Sequence, residues 1–329
     1  MRGLLFSLIM ILFIPFFLLG LIVYTWRLRR VIIPHNISGT AAEPFGARIM
    51  MHLADTRIDE AAVKLAEQMI LYRQPAKFLM LQTTGLALRI SGYKGSMFGY
   101  PGQRPSSTMT MMSHRSHFLD CSISEAFSRP ENAIEQFVIL GAGWDTRCYD
   151  LPKNCEVNCF EVDMAPTLNV KREALNKSSV KSTHVTFVET DFNQESWMDS
   201  LLASGFDQKK ITYILWEGVT MYLTEEAVNS TLALFSTLPQ GSVIGVDFFT
   251  EDVVKGNPPN ETLSKRMHGA IKYYSEKIMF GIPTGQTLSQ GAKELAERHG
   301  LQLSKFENIG DESDKKKVPW YVFTEMTKT

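Results

Sequence analysis

From Gly3 to Trp26 the chain carries no charged residue, and an apolar run of this length reaches the roughly 20 residues needed to cross a hydrocarbon core as a helix. Tyr24, Trp26, Arg27, Arg29 and Arg30 close the run, an interfacial anchor rather than the small-residue cleavage site of a signal peptide. Pro34, Asn36, Ser38, Gly39 and Pro44 then predict a linker over 31–44. From Asp59 to Tyr72, Ala62, Leu65, Met69 and Ile70 recur at helical spacing, and a second helical stretch surrounds Phe78 to Ile90. Gly92 to Thr108 is rich in Gly, Pro and Ser and predicts a loop.

Beyond that loop, short apolar runs alternate with amphipathic segments, which predicts an α/β domain with a parallel sheet covered on both faces. The predicted strands are Phe137–Leu140, Val157–Val162, His184–Val188, Ile211–Trp216 and Val243–Phe249. Helices are expected over Ala165–Asn176, Glu195–Ser204, Glu225–Phe235 and Ser289–Arg298, the last with Ser289 as N-cap and Gly300 as its stop. Two final strands, Leu301–Phe306 and Trp320–Met326, predict an antiparallel hairpin at a sheet edge. With 329 residues the chain suits one large core plus an appendage. The division expected is a transmembrane anchor over 1–30, a linker over 31–44 and one domain over 45–329.

Composition narrows the partners. Thirty-four Lys and Arg against 35 Asp and Glu leave a formal charge of −1, which offers no broad attraction for nucleic acid. Four cysteines at this length make no disulfide framework. Cys155 and Cys159 have a C-x3-C spacing, but no second pair or nearby His completes a zinc site, so no metal is expected. Arg27, Arg29 and Arg30 outweigh Arg2 across the apolar segment, which orients a single-pass protein with its main domain in the cytoplasm. Against that orientation, Asn36, Asn176, Asn229 and Asn260 each begin a glycosylation triplet.

The first strand runs straight into Gly141-Ala142-Gly143, and glycines there let a ligand approach the backbone closely. Twenty-two residues after Gly141 the second strand ends in Glu161-Val162-Asp163, a carboxylate placed to accept both hydroxyls of a ribose. Asp191 follows the third strand beside Phe192, a pair suited to an adenine amino group and a stacked ring. A dinucleotide fold would carry a third glycine where Thr146 stands, and Leu151-Pro152 interrupts the following helix. Both features favour a mononucleoside-like cofactor over NAD. A G-x-G turn alone can also be a plain tight turn, and Asp163 could cap a helix.

Leu140-Gly141-Ala142-Gly143-Trp144-Asp145-Thr146-Arg147, Phe160-Glu161-Val162-Asp163, Pro166 with Lys171-Arg172, and Trp216-Glu217-Gly218-Val219-Thr220-Met221-Tyr222-Leu223-Thr224-Glu225-Glu226 together resemble the leucine carboxyl methyltransferase family and its bacterial relatives. The resemblance covers roughly 55–329 and leaves out the apolar segment. It implies a class I methyltransferase Rossmann-like sheet, mostly parallel with an antiparallel C-terminal strand, and S-adenosylmethionine as cofactor. It also implies that Gly141 and Gly143 lie against that cofactor, that Asp163 holds its ribose, and that Asp191 and Phe192 bracket its adenine. Arg115, upstream of the glycine turn, would pair with the methionine carboxylate in bidentate fashion, and Glu217 would sit near the amino group or sulfonium.

The activated methyl then needs mainly alignment and exclusion of water. A carboxylate acceptor, on a protein or a small molecule, is ionised at neutral pH and needs no base. A hydroxyl or amine acceptor would call for one, with Glu217 or Asp145 as candidates, and Tyr222 is either an acceptor contact or core packing. Acceptor specificity is expected in the segment Thr250 to Gln290, where Met279, Phe280 and Ile282 could form an apolar wall or pack beneath a helix. Two alternatives stand beside this reading: an NAD(P)-dependent oxidoreductase built on the same first strand and carboxylate, and a non-catalytic membrane scaffold that keeps the fold.

Overall fold

The computed structural model describes residues 1–95, 98–100, 107–151, 157–192, 196–285, 287–311, 313 and 318–329. The chain folds as two compact units: Met1–Ser116 with Gly143–Leu151 and Ala165–Thr183, and His117–Ala142 with Pro152–Met164 and His184–Thr329. Cys155 and part of the 92–108 loop lie outside the described residues.

The first unit is helical. Its long helix α1 (Arg2–Arg27) continues as a π-helical turn (Leu28–Ile32) and a 3-10 turn (Ile33–His35). Arg2–His35 is the one stretch among the described residues long and apolar enough to cross a membrane, and an 18-residue window within it has a mean hydropathy of 2.9. Next come α2 (Ala42–Leu53), α3 (Glu60–Ala66), a π-helical turn (Lys77–Gln82) that leads into α4 (Thr83–Ser91), then α5 (Met111–Phe127), within which the unit boundary falls, and α6 (Ala165–Lys177). Helix α3 begins where the Asp59 carboxylate accepts the Ala62 N–H, and it stops at Ala66, short of the predicted end at Tyr72.

Along its length α1 packs on residues between 72 and 95 and on Phe98. Phe6 stacks on Tyr93 at 5.1 Å, and Tyr24 meets Tyr72 at 5.6 Å. A Cβ on Gly20 would lie 2.5 Å from Met80 Cγ and 2.8 Å from Leu79 Cβ, so glycine there lets the helix approach its neighbours closely. The Arg27 guanidinium donates to the carbonyls of Arg73 and Gln74, both at 2.7 Å. The opposite face of α1, including Leu4, Leu8, Ile11, Leu12, Leu19 and Ile22, is exposed. Phe78, Leu86 and Ile90, on the helical stretch it packs against, are exposed as well.

The second unit holds one sheet: β1 (Gln136–Leu140), β2 (Asn158–Asp163), β3 (Val185–Glu189), β4 (Thr212–Trp216), β5 (Val243–Thr250), β6 (Gly281–Ile282), β7 (Leu301–Ile309) and β8 (Tyr321–Lys328). The order is β3-β2-β1-β4-β5-β8-β7, with β6 beside β5. Neighbours from β3 to β5 pair in parallel, while β8 is antiparallel to both β5 and β7. This is the class I methyltransferase-like sheet that the resemblance implied. Strands β1, β4 and β5 are buried at every position, as expected of strands covered on both faces.

Helices α7 (Trp197–Ala203), α8 (Glu225–Phe235), α9 (Glu251–Lys255), α10 (Glu261–Lys272) and α11 (Leu288–Arg298) complete the unit. Ser196, Thr224 and Thr287 cap α7, α8 and α11. Thr287 thus takes the role predicted for Ser289, one residue inside the helix, because its Oγ1 accepts the Gln290 N–H. Phe280 and Ile282 join the buried core, Phe280 against Phe248 at 5.9 Å, while Met279 stays exposed. The apolar wall considered for these residues is therefore core packing for two of the three.

Candidate active site

The site is built at the carboxyl ends of β1 to β4 in the second unit, where open α/β sheets bind ligands. Leaving β1, Gly141 adopts φ +70°, a left-handed conformation that glycine enters without a Cβ penalty. The N–H groups of Gly141 and Ala142 donate to the Val162 carbonyl at 2.8 and 3.0 Å, which ties this turn to the end of β2. A Cβ on Gly141 would stand 2.3 Å from Val219 Cγ2, so the loop after β4 closes directly on the turn.

At the end of β2, Asp163 is only 7% exposed, and its Oδ1 accepts the Met164 N–H at 2.7 Å. Its backbone carbonyl accepts the Thr190 N–H at 3.0 Å, which joins the ends of β2 and β3. Asp191 and Phe192 follow at once, both half-buried, with the Phe192 ring against the core. Glu161, two residues before Asp163 on β2, is wholly buried. Past β4, Glu217 is half-buried, and Tyr222 ends a 3-10 turn (Thr220–Tyr222) half-buried.

One residue that organises this loop escaped the sequence reading. Asp247, wholly buried in β5, accepts the Gly218 N–H at 2.7 Å on Oδ1 and the Tyr321 hydroxyl at 2.5 Å on Oδ2. Its backbone carbonyl accepts the Thr220 hydroxyl at 2.5 Å. The loop that carries Glu217, Val219 and Tyr222 is thereby held to the sheet, and Gly218 at φ +72° makes the bend. A lone carboxylate within Val-Ile-Gly-Val-Asp-Phe-Phe was the available signal, since a charge buried in such a strand must be hydrogen-bonded.

Gly141, Asp163, Asp191, Phe192 and Glu217 therefore share the carboxyl edge of four neighbouring strands. Arg115 and Gly143 belong to the first unit: Arg115 is 4% exposed in α5, and Gly143 adopts φ +43°.

The motif after Gly143 has a different task from the one considered for Asp145. The buried Asp145 carboxylate takes Arg48 Nη2 at 2.6 Å, Arg147 Nη1 at 2.5 Å and the Arg147 N–H at 2.8 Å. Lys171, fully buried on α6, donates to the Asp145 carbonyl at 2.7 Å. The Asp145 carboxylate is thus paired with two guanidinium groups, the arrangement of a structural anchor. The Thr146 hydroxyl donates to both Asp59 carboxylate oxygens at 2.9 Å, and Arg57 meets Asp59 at 2.6 Å. Nearby, burial, followed by the charge of Asp59, pushes the Asp150 carboxyl up. Among the described residues no group of His, Cys, Asp and Glu forms a metal site.

The family model described as leucine carboxyl methyltransferase matches residues 59–236. YktD of Bacillus subtilis, whose name places it provisionally among the S-adenosyl-L-methionine-dependent methyltransferases, is 38% identical over 120 residues, 36% of this chain and 39% of YktD. A Mycobacterium ulcerans protein with the same provisional naming is 34% identical over 196 residues, 59% of this chain and 60% of its own length. The chain thus spans roughly 40 to 60% of the length of these relatives. Among solved structures, a duf574 family protein from Streptomyces avermitilis aligns with a TM-score of 0.44 and 16% identity, over 66% of this chain and 84% of that one.

Proposed function

Because this chain belongs to the leucine carboxyl methyltransferase family, we propose that it is an S-adenosylmethionine-dependent methyltransferase whose acceptor is a carboxylate on a protein or a small molecule. The observation that carries the reading is the convergence of Gly141, Asp163, Asp191, Phe192 and Glu217 on one sheet edge, with a glycine turn whose Cβ position is already filled by Val219. These residues fit the cofactor. The Gly141 turn, closed on by Val219, sets bare backbone at this edge, Asp163 presents a buried carboxylate for the ribose hydroxyls, and Asp191 with Phe192 offers an acceptor and an aromatic face for adenine. Glu217 serves the amino group or sulfonium.

When bound, the cofactor supplies a methyl group activated on a sulfonium. The chain's own contribution is orientation and exclusion of water. Glu217 and Tyr222 are the candidate groups to face an acceptor, and a carboxylate acceptor, already ionised at neutral pH, needs no base from them. The segment from Thr250 to Gln290, which holds α9, α10 and β6, is assigned to acceptor choice. Neither the family nor the named relatives point to nicotinamide chemistry or to a silent scaffold.

We also infer that residues 1–30 hold the protein in a membrane as a single-pass anchor, that 31–44 connect it to a catalytic domain over 45–329, and that this domain faces the cytoplasm apart from the residues between 72 and 95 that pack along α1 and share its layer. The exposed apolar face of α1, prolonged by Phe78, Leu86 and Ile90, supports a lipid-facing surface. The side-chain amide of Asn229 donates to the Glu225 carbonyl and its oxygen meets His299, while Asn260 is buried on the Pro319 carbonyl. Two of the four glycosylation triplets are thereby engaged in the fold. The test is transfer of labelled methyl from S-adenosylmethionine into membrane and cytosolic extracts by the full chain. A base-labile product that releases methanol supports the carboxylate acceptor, a base-stable product moves the assignment to another acceptor, and no transfer to any fraction counts against the enzyme reading.

A further inference from the structure

The first unit contains a cavity of about 470 Å³, and its lining includes Val31, His35, Ile70, Arg73, Glu173 and Lys177. The cavity pairs apolar wall, from Val31 and the half-buried Ile70, with charged groups from Arg73, Lys177 and Glu173. The backbone of Arg73 is fixed there, because its carbonyl receives the guanidinium of the buried Arg27 at 2.7 Å, and its own side chain is exposed. His35 turns its Nδ1 to the Val31 carbonyl at 2.7 Å. Lys177 hydrogen-bonds Glu173, and that bond, with the charges of Lys177 and Arg73, holds the Glu173 carboxyl below the usual range. Two permanent cations therefore share this cavity with one carboxylate.

The position of the cavity along α1 decides what it suits. The uncharged run ends at Trp26. At about 1.5 Å per residue, Val31 lies about 7 Å further along the helical continuation and His35 about 13 Å further. The headgroup layer of a bilayer is roughly 5 to 8 Å thick on each side of the hydrocarbon. With the apolar run in hydrocarbon, the Val31 end of the cavity lies at headgroup depth and the His35 end just beyond it. An inorganic anion would use the cations and gain nothing from the apolar wall. An amphiphile with an anionic head uses both.

We propose that this cavity receives the headgroup phosphate of an anionic membrane glycerophospholipid, with Arg73 and Lys177 on its charge and Val31 and Ile70 against its glycerol end. The proposal rests on the membrane reading of α1 and is independent of the methyl-transfer assignment.

The test uses the full chain in neutral detergent with equimolar phosphatidylglycerol and phosphatidylcholine, read by native mass spectrometry. The wild type retains phosphatidylglycerol in preference. A basic residue near an anionic lipid surface is worth about 1 kcal/mol, so R73Q and K177Q each reduce the preference about fivefold. Lys177 is largely exposed, so K177Q leaves folding intact and keeps the test valid if R73Q unfolds. Equal retention of the two lipids by the wild type, or an undiminished preference in K177Q, overturns the proposal. Displacement of phosphatidylglycerol by equimolar inorganic phosphate overturns it in favour of a soluble-anion site. Flotation with neutral phosphatidylcholine vesicles checks the anchor separately: wild type, R73Q and K177Q all float if α1 is embedded, and failure of all three removes the membrane reading itself.

Discussion

Replacing Gly141 by alanine tests the glycine turn at its most constrained point. The backbone sits at φ +70°, and an L-residue forced into the left-handed region costs about 1–2 kcal/mol. The new Cβ would lie 2.3 Å from Val219 Cγ2, and overpacking of this kind costs about 1–3 kcal/mol. If the turn moves to relieve both, the loss appears in cofactor binding, about 2–5 kcal/mol in all, or from about thirtyfold to several thousandfold in affinity. Val219→Ala removes the methyl group that clashes. The double variant G141A/V219A should therefore recover about 1–3 kcal/mol relative to G141A and keep the backbone share, while V219A alone stays within about threefold of wild type. Calorimetric titration of all four proteins with S-adenosylmethionine closes the cycle. Wild-type affinity in G141A would refute the role of the turn, and a double variant no better than G141A would refute the contact with Val219.

Three further outcomes follow from other parts of the chain. Asp163→Ala should weaken S-adenosylmethionine binding by about tenfold or more, since a hydrogen bond to a charged group is worth about 1.5–3 kcal/mol; unchanged affinity by calorimetry removes Asp163 from the site. Asp145→Ala leaves Arg48 and Arg147 buried without their carboxylate, at about 3–5 kcal/mol; the thermal midpoint should fall on the order of 10 °C, and an unchanged midpoint contradicts the anchor. Burial, with Arg298 beside it, lowers the His299 pKa from its ordinary 6.5. The unfolded chain then binds the proton more readily, so this contribution to stability is intact above about pH 6.5 and declines as pH falls through the folded value. Urea unfolding should lose less stability between pH 7 and pH 5 in His299→Gln than in wild type, and parallel pH profiles would contradict it.

Much of the second unit was legible because fully buried parallel strands write short continuous apolar runs and amphipathic helices a 3.6-residue period. Strand β1 differs from its predicted range by one residue, and α8 coincides with it. Glycine turns and the carboxylates at strand ends were legible for the same reason, each lying within a residue or two of an apolar run. What was hidden depends on residues far apart in the chain. The Asp145 cluster joins residues 48, 145, 147 and 171, and nothing local distinguishes a paired carboxylate from a candidate base. The packing of α1 on residues between 72 and 95 and on Phe98 was hidden in the same way: an all-apolar helix has no polar face to show which side is covered. Gly3 and Gly20 mark the covered side only once their neighbours are known. Phe280 and Ile282 were ambiguous because an apolar wall and a core segment have the same composition.

The contacts that Phe6, Gly20, Tyr24 and Arg27 make with residues between 72 and 95 mean that removing α1 would strip a packed face from the first unit. The decisive measurement is therefore made on the full chain in neutral detergent micelles, by calorimetric titration with S-adenosylmethionine and, separately, with NADH. The account predicts saturable one-to-one binding of S-adenosylmethionine and none of NADH. A folded chain that binds NADH, or that fails to bind S-adenosylmethionine, would contradict it.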